Sequence, residues 1–230
     1  MLAICSILMW HNISTDIIFT SNEPYFSHFP ALAAICTLGA QNLPVPYQLA
    51  PDYMQQMLSQ VITSDCRVLN ISDGSGHYIG HSRQNVFFGW GSYHANGGNC
   101  WIGQWAGGKC LFGILIKDGE ARVGSDSHHI VYNLTNGLPL RILKDGETHV
   151  FSTAQVEAYP LRFLRLAYEG DDFYIGEVQG GLPHGQGIYY WVSGNHWYGT
   201  FKEGYRSGYG ALFATDGVVD HGLWLGNDKQ

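Results

Sequence analysis

From Tyr174 to the C-terminus, large apolar and small residues alternate with a period of two, as the two faces of a β-strand require. "WYGTF" puts Trp197, Gly199 and Phe201 on one face, "WIGQW" does the same with Trp101, Gly103 and Trp105, and "GQGIYYW" with Gly187, Tyr189 and Trp191. Glycines such as Gly108, Gly181 and Gly204 fall between such runs, where a tight turn often needs positive φ. The pattern therefore predicts antiparallel β-hairpins. Residues 1–70 read differently. "LPVPYQLAPDYMQQMLSQVI" is a proline-punctuated stretch leading into a helix, with Met54, Met57, Leu58 and Val61 on one face, and a second short helix is predicted over Ala31–Leu38.

The hairpins repeat. Tyr174 and Gly176 recur 23 residues later as Trp197 and Gly199, and after another 23 come Asp220 and Gly222. Gly185 and Gly187 return at the same offset as Gly208 and Gly210, Gly181 as Gly204, and Gly194 as Gly217. Upstream, Tyr78 and Gly80 are followed 23 residues later by Trp101 and Gly103, with Gly89 and Gly91 in the Gly-x-Gly slot. Self-similarity at a fixed period marks a stack of equivalent units. Glycine inside a strand weakens it unless something uses the bare backbone. Rings of neighbouring units provide that use, each burying about 150–250 Å² when seated flat over a glycine. Between the two arrays, over 125–170, the repeat is worn, although "ILKDGETHV" echoes "LIKDGEARV" as a degenerate hairpin.

"YIGEVQGGLPHGQG" and "WYGTFKEGYRSGYG" resemble MORN repeats, in which aromatic-x-Gly-x-aromatic leads through a glycine turn to Gly-x-Gly. The match spans about residues 174–224 and, less closely, 78–124; Ser82, Val178 and Asp220 stand where an aromatic belongs. The resemblance implies a mainly β fold: an elongated, single-layer stack of antiparallel hairpins over 71–230, a MORN-type solenoid. Residues 1–70 are expected to form a small helical cap over its first edge. The resemblance also implies scaffolding, contact or targeting rather than chemistry. On this reading the chain is a non-enzymatic protein–protein interaction scaffold. Its partner contacts are expected at Trp101, Trp105, Tyr189, Trp191, Trp197 and Phe201 on a concave aromatic face. A C-terminal strand left unpaired is open to a second copy of the chain.

Composition agrees with a turn-rich β protein: 30 glycines without a collagen period, and 8 prolines. A formal charge of −7 excludes a dedicated nucleic-acid binder and gives no basic patch for anionic lipid. The five cysteines include no CxxC pair and are too sparse for a disulfide framework, so a reduced, cytoplasmic setting is expected. Candidate chemistry is thin. His77 and His81 are four apart, a metal-ligand spacing on a helix, but on a strand they stand about 13 Å apart. "GQGIYY" lacks the third glycine of a dinucleotide loop and "DGSGH" lacks the lysine of a phosphate loop. No catalytic residue, metal or cofactor is expected. The alternative from a different class is a small enzyme with Cys36 or Cys66 beside His77 or His81, where the N-terminal region meets the ribbon. A third reading, attachment to a membrane surface, has no support from charge.

Overall fold

The computed structural model describes residues 66–144 and 146–230, so the two helices expected in the N-terminal region lie outside the described residues. What is described is almost wholly strand. Nine strands form the first sheet: β1 (Cys66–Ser72), β2 (Gly76–Arg83), β3 (Val86–Ala95), β4 (Cys100–Ala106), β5 (Lys109–Lys117), β6 (Glu120–Ser125), β7 (His128–Asn133), β8 (Pro139–Lys144) and β9 (Glu147–Val150). Seven form the second: β10 (Arg162–Ala167), β11 (Phe173–Gln179), β12 (Leu182–Tyr190), β13 (His196–Lys202), β14 (Tyr205–Phe213), β15 (Val219–Leu225) and β16 (Asp228–Lys229). Each sheet is an antiparallel meander in which every strand pairs with its neighbours in sequence. The array begins earlier than the repeat does, because β1 pairs along its whole length with β2. "ILKDGETHV" is the β8–β9 hairpin, so the worn segment carries strands of the first sheet.

One short helix, α1 (Thr153–Ala158), separates the sheets. Ser152 caps it reciprocally: its hydroxyl accepts from Gln155 N, and Gln155 Oε1 accepts from Ser152 N. Arg162 then donates to the carbonyls of Leu161 and Val156, tying the chain's exit to the helix. Beyond this turn the array doubles back. β10 lies against β7, β12 against β5, β13 against β4, β14 against β3 and β15 against β2. Each sheet is one layer thick, as a hairpin stack requires, and the two layers face one another. Ile79, Ile102, Ile114, Ile130 and Ile142 of the first sheet join Phe163, Ile188, Tyr198 and Phe213 of the second in one buried core. The inner faces therefore cover each other, and the open groove expected of a one-layer ribbon can only be on an outer face.

The 23-residue period has a simple structural meaning. Gly80, Gly91, Gly103, Gly113 and Gly124 are successive partners across β2–β6, and Gly176, Gly187, Gly199, Gly210 and Gly222 across β11–β15. Each sheet thus carries a row of glycines at right angles to its strands. Rings lie along that row. A methyl on Gly187 would meet the Tyr174 ring at 2.2–2.4 Å, and one on Gly210 would meet Trp197 at 2.2 Å. In the Gly-x-Gly slots the two glycines serve different ends. The second gives room for a ring, whereas the first (Gly89, Gly185 or Gly208) has φ between 59° and 100°, which L side chains avoid.

Candidate binding surface

The outer face of the first sheet is built from the residues opposite the isoleucine core. On β2–β4 these are Tyr78, Tyr93, Trp101 and Trp105, joined by Phe87. Tyr78 is buried over Gly91, hydrogen-bonded from its hydroxyl to His81 O at 2.7 Å. Ser82 stands where the repeat wants a second aromatic, and its partner Phe87 fills the gap, stacking on Tyr78 at 3.7 Å between ring centres. Trp105 packs edge-on against both rings and donates from Nε1 to Gly91 O at 2.9 Å. These three make a closed cluster. Beside it the surface opens.

Trp101 and Tyr93 are half-buried, 5.7 Å apart between ring centres, and border a depression of about 400 Å³. Phe87, Trp105 and Gly108 complete its apolar wall, and Lys109, Cys110, Arg122 and Asp126 its polar one. Tyr93 is held by its hydroxyl, 2.7 Å from Ser75 Oγ, and Ser75 in turn by Asp73. Arg122 Nη2 donates to Asp126 Oδ1 at 2.6 Å, and among the described residues Lys109 has no ion-pair partner. Burial pushes the Cys110 thiol up to about 12, so it stays protonated at neutral pH and is no nucleophile. Two half-exposed rings, Tyr93 among them held by its hydroxyl, a shallow apolar floor and an ion pair at the rim can hold an apolar side chain flanked by polar groups.

The other four expected contact residues lie on the outer face of the second sheet, on the opposite side of the molecule. Trp197 and Phe201 are buried, with Tyr174 and Trp224, in a small core of their own. The Arg206 guanidinium lies 4.2 Å from the Trp224 ring centre and 5.7 Å from that of Trp197, covering them. Tyr189 and Trp191 are half-buried neighbours, 5.0 Å apart between ring centres. Tyr189 donates to Asp172 Oδ2 at 2.9 Å, and burial, with that interaction after it, pushes its phenol up to about 12. The six residues are therefore two separate clusters. Trp101, Tyr189 and Trp191 have surface to offer, whereas Trp105, Trp197 and Phe201 are packing.

The expected meeting of Cys66 with His77 or His81 takes another shape. Cys66 pairs with Arg83 at one end of the β1–β2 ladder, and His77 with Ser72 at the other. His81 is buried between the sheets, where burial and the neighbouring His221 push its imidazole down to about 4, too weak a base to activate a thiol. Cys36 lies outside the described residues. β15 is paired by the two-residue strand β16 only over Trp224 and Leu225, and Lys229 folds back across Gly222 to Asp220. The C-terminal edge is thus partly closed by the chain itself. Among the described residues, no helix is long and apolar enough to cross a membrane.

Comparison with known families agrees with this geometry. The MORN repeat model matches residues 174–196 and 197–218, the units that span β11–β12 and β13–β14. No curated protein matches the chain.

Proposed function

We propose that this chain is a non-catalytic MORN-repeat scaffold that binds another protein through the outer face of its first sheet. The observation that carries this reading is the pair Tyr93 and Trp101, in contact with each other, the first held by Ser75, and half-exposed at the edge of an open depression with an ion pair at its rim. Aromatic anchors in such a setting supply most of the affinity of a protein interface, while the surrounding contacts exclude water. The bound group is an apolar side chain entering beside Trp101, with an acidic residue next to it to meet Lys109. Tyr189 and Trp191 on the other side form a second, smaller contact region.

The test is affinity capture from the native source with the intact chain, Trp101→Ala, and Trp105→Ala. Trp101→Ala should keep the fold, judged by its melting curve, and lose the captured protein. Trp105→Ala should instead melt earlier, because that ring belongs to the packing. A partner retained in full by a folded Trp101→Ala/Tyr93→Ala chain would refute this docking face.

A further inference from the structure

The joint between the two sheets is largely apolar but holds the Glu177–Tyr132 pair, and at one end histidines from both layers meet. His94 of β3 and His196 of β13 are 5.3 Å apart between ring centres and nearly perpendicular. His81 of β2 and His221 of β15 repeat the arrangement, also at 5.3 Å and edge to face. Ser92 Oγ sits 2.9 Å from His94 Nε2 and 2.8 Å from His196 Nε2, which makes it the hinge of the first pair. His196 also makes a backbone hydrogen bond to Gly194, through its remaining ring nitrogen. Ser92, which can donate to one ring and accept from the other, links the two imidazoles while at least one of them is neutral. With both rings charged, each Nε2 carries a proton and the Ser92 hydroxyl loses its acceptor in the pair. Its ring is also stacked between Tyr190 and Phe213, at 5.3 and 5.1 Å between ring centres, so it cannot turn away to water.

We propose that these two cross-sheet histidine pairs form a proton-released latch, such that mild acidification charges them and parts the two sheets while each sheet stays intact. The groups facing the pairs give little relief to added charge. From β2 comes His77, bonded at Nδ1 to Ser72 of β1; from β4, Cys100, a neutral thiol; from β12, Tyr190, a neutral phenol. β14 presents the apolar Phe213 to this pair. From β15 and β16 come Asp220 and Lys229, which form an ion pair with each other and act on His221 in opposite senses. Glu177, the carboxyl buried deeper in the joint, is engaged by Tyr132 and Gln186 N. Burial raises it to about 7, so its protonation favours the closed form, and the histidine pairs must outweigh it. Burial, and after it the other histidines, pushes His81 and His94 down to about 4 and His196 to about 3. Unfolded or separated, each imidazole takes its proton near 6.5, so acid favours the parted form as pH falls from about 6.5 towards 4. The strand ladders run within each sheet, so parting the layers breaks none of them. One backbone bond between the layers, Phe163 N to Gly137 O at 2.9 Å, lies next to the α1 turn, where the layers stay joined. The surface uncovered is the inner apolar row, Ile79, Ile102, Ile114, Ile188 and Phe213.

The experiment is a pH titration of the full chain from 7.5 to 4, followed by near-ultraviolet and far-ultraviolet circular dichroism and by binding of a hydrophobic dye. The latch predicts loss of the near-ultraviolet signal and gain of dye binding within that range, with the far-ultraviolet β signal retained. His196→Gln/His221→Gln, which keeps polar groups at both pairs but cannot take up a proton there, should lower the midpoint by about one pH unit or more. His129→Gln should leave it in place, because His129 is buried outside the joint, on Ser125 O. Should the double variant fail to fold at pH 7.5, His196→Phe preserves the stack, and nuclear magnetic resonance of the histidine rings in the unaltered chain replaces the comparison. Their titration should then coincide with the loss of tertiary signal. Simultaneous loss of both dichroism signals, an unmoved midpoint in the variant, a midpoint moved equally by His129→Gln, rings that titrate near 6.5 with tertiary structure intact, or no change above pH 4 would each overturn the latch.

Discussion

Adding one methyl group to Gly187 tests how the rings and glycines fit together. Its Cβ would fall 2.2 Å from the Tyr174 hydroxyl oxygen and 2.3 and 2.4 Å from Cε2 and Cζ of the same ring, over a residue with no exposed surface. Ordinary contact begins near 3.4 Å, so the ring must leave its seat by about an ångström or more. It has nowhere to go without loss. Phe201 packs edge-on at 4.9 Å between ring centres, and the hydroxyl donates to Glu177 O at 2.7 Å, with His184 O at 3.2 Å. Overpacking of this kind costs about 1–3 kcal/mol and the disturbed hydrogen bond about 1 more, so Gly187→Ala should destabilise by about 2–4 kcal/mol. Backbone strain contributes nothing, since Gly187 is not among the glycines with positive φ. Urea denaturation at pH 7.5 measures the loss, and a Tyr174→Leu background isolates its cause. Without the ring, most of the penalty should vanish, leaving a coupling of at least about 1 kcal/mol between the sites. Gly97→Ala, with nothing within 4 Å of its added methyl, is the control and should stay within about 0.5 kcal/mol of the parent. A Gly187→Ala chain as stable as the parent, or one whose penalty is unchanged by Tyr174→Leu, would refute the ring-on-glycine account.

Further outcomes are expected at other positions. Gly199→Ala should cost more than about 1 kcal/mol in the same assay, since its methyl would meet Trp197 at 2.5 Å and the Tyr209 carbonyl at 2.7 Å. Gly208→Ala should cost about 1 kcal/mol or more through backbone strain at φ 100°, and a melting curve that does not move would contradict it. Burial raises the Glu177 carboxyl from 4.5 to about 7, so its contribution to stability is complete below pH 4.5 and is lost as pH rises through 7. Glu177→Gln should therefore gain on the parent by up to about 3 kcal/mol between pH 5 and pH 8, read from urea midpoints at the two pH values. Ser152→Ala removes the helix cap and should lower stability by about 1 kcal/mol, with protease nicking near 153–158 as a second readout.

The hairpins and their period were readable because both follow from local rules: side-chain alternation, turn glycines and equal spacing. Tyr93 was within the same reach, since it stands two residues past Gly91 as Tyr189 stands past Gly187. What sequence did not disclose is where the stack turns back. That depends on α1 and on inner-face residues such as Ile102, Ile114 and Ile188, which repeat no differently from those of a ribbon with an open face. For the same reason the six candidate rings could not be divided between two surfaces. Trp197 and Trp101 occupy equivalent repeat positions, yet Arg206 lies over the first and an open depression adjoins the second. Lys109, Arg122 and Asp126 carry no periodic signal, and only the pairing of β4, β5 and β6 brings them beside an aromatic wall. Glu177 reads as a surface acid in "YIGEV", and its burial comes from a tyrosine 45 residues earlier in the other layer.

The doubling-back at α1 sets an order of assembly. Strand contacts across the joint are nested like parentheses: β7 with β10 innermost, then β5 with β12, and so outward to β2 with β15. Each inner contact shortens the loop that the next must close, so the chain can zip from its midpoint to its ends. A hairpin gained or lost at one terminus strands its opposite number at the other. Arrays built this way would lengthen or shorten by matched steps, one unit from each end.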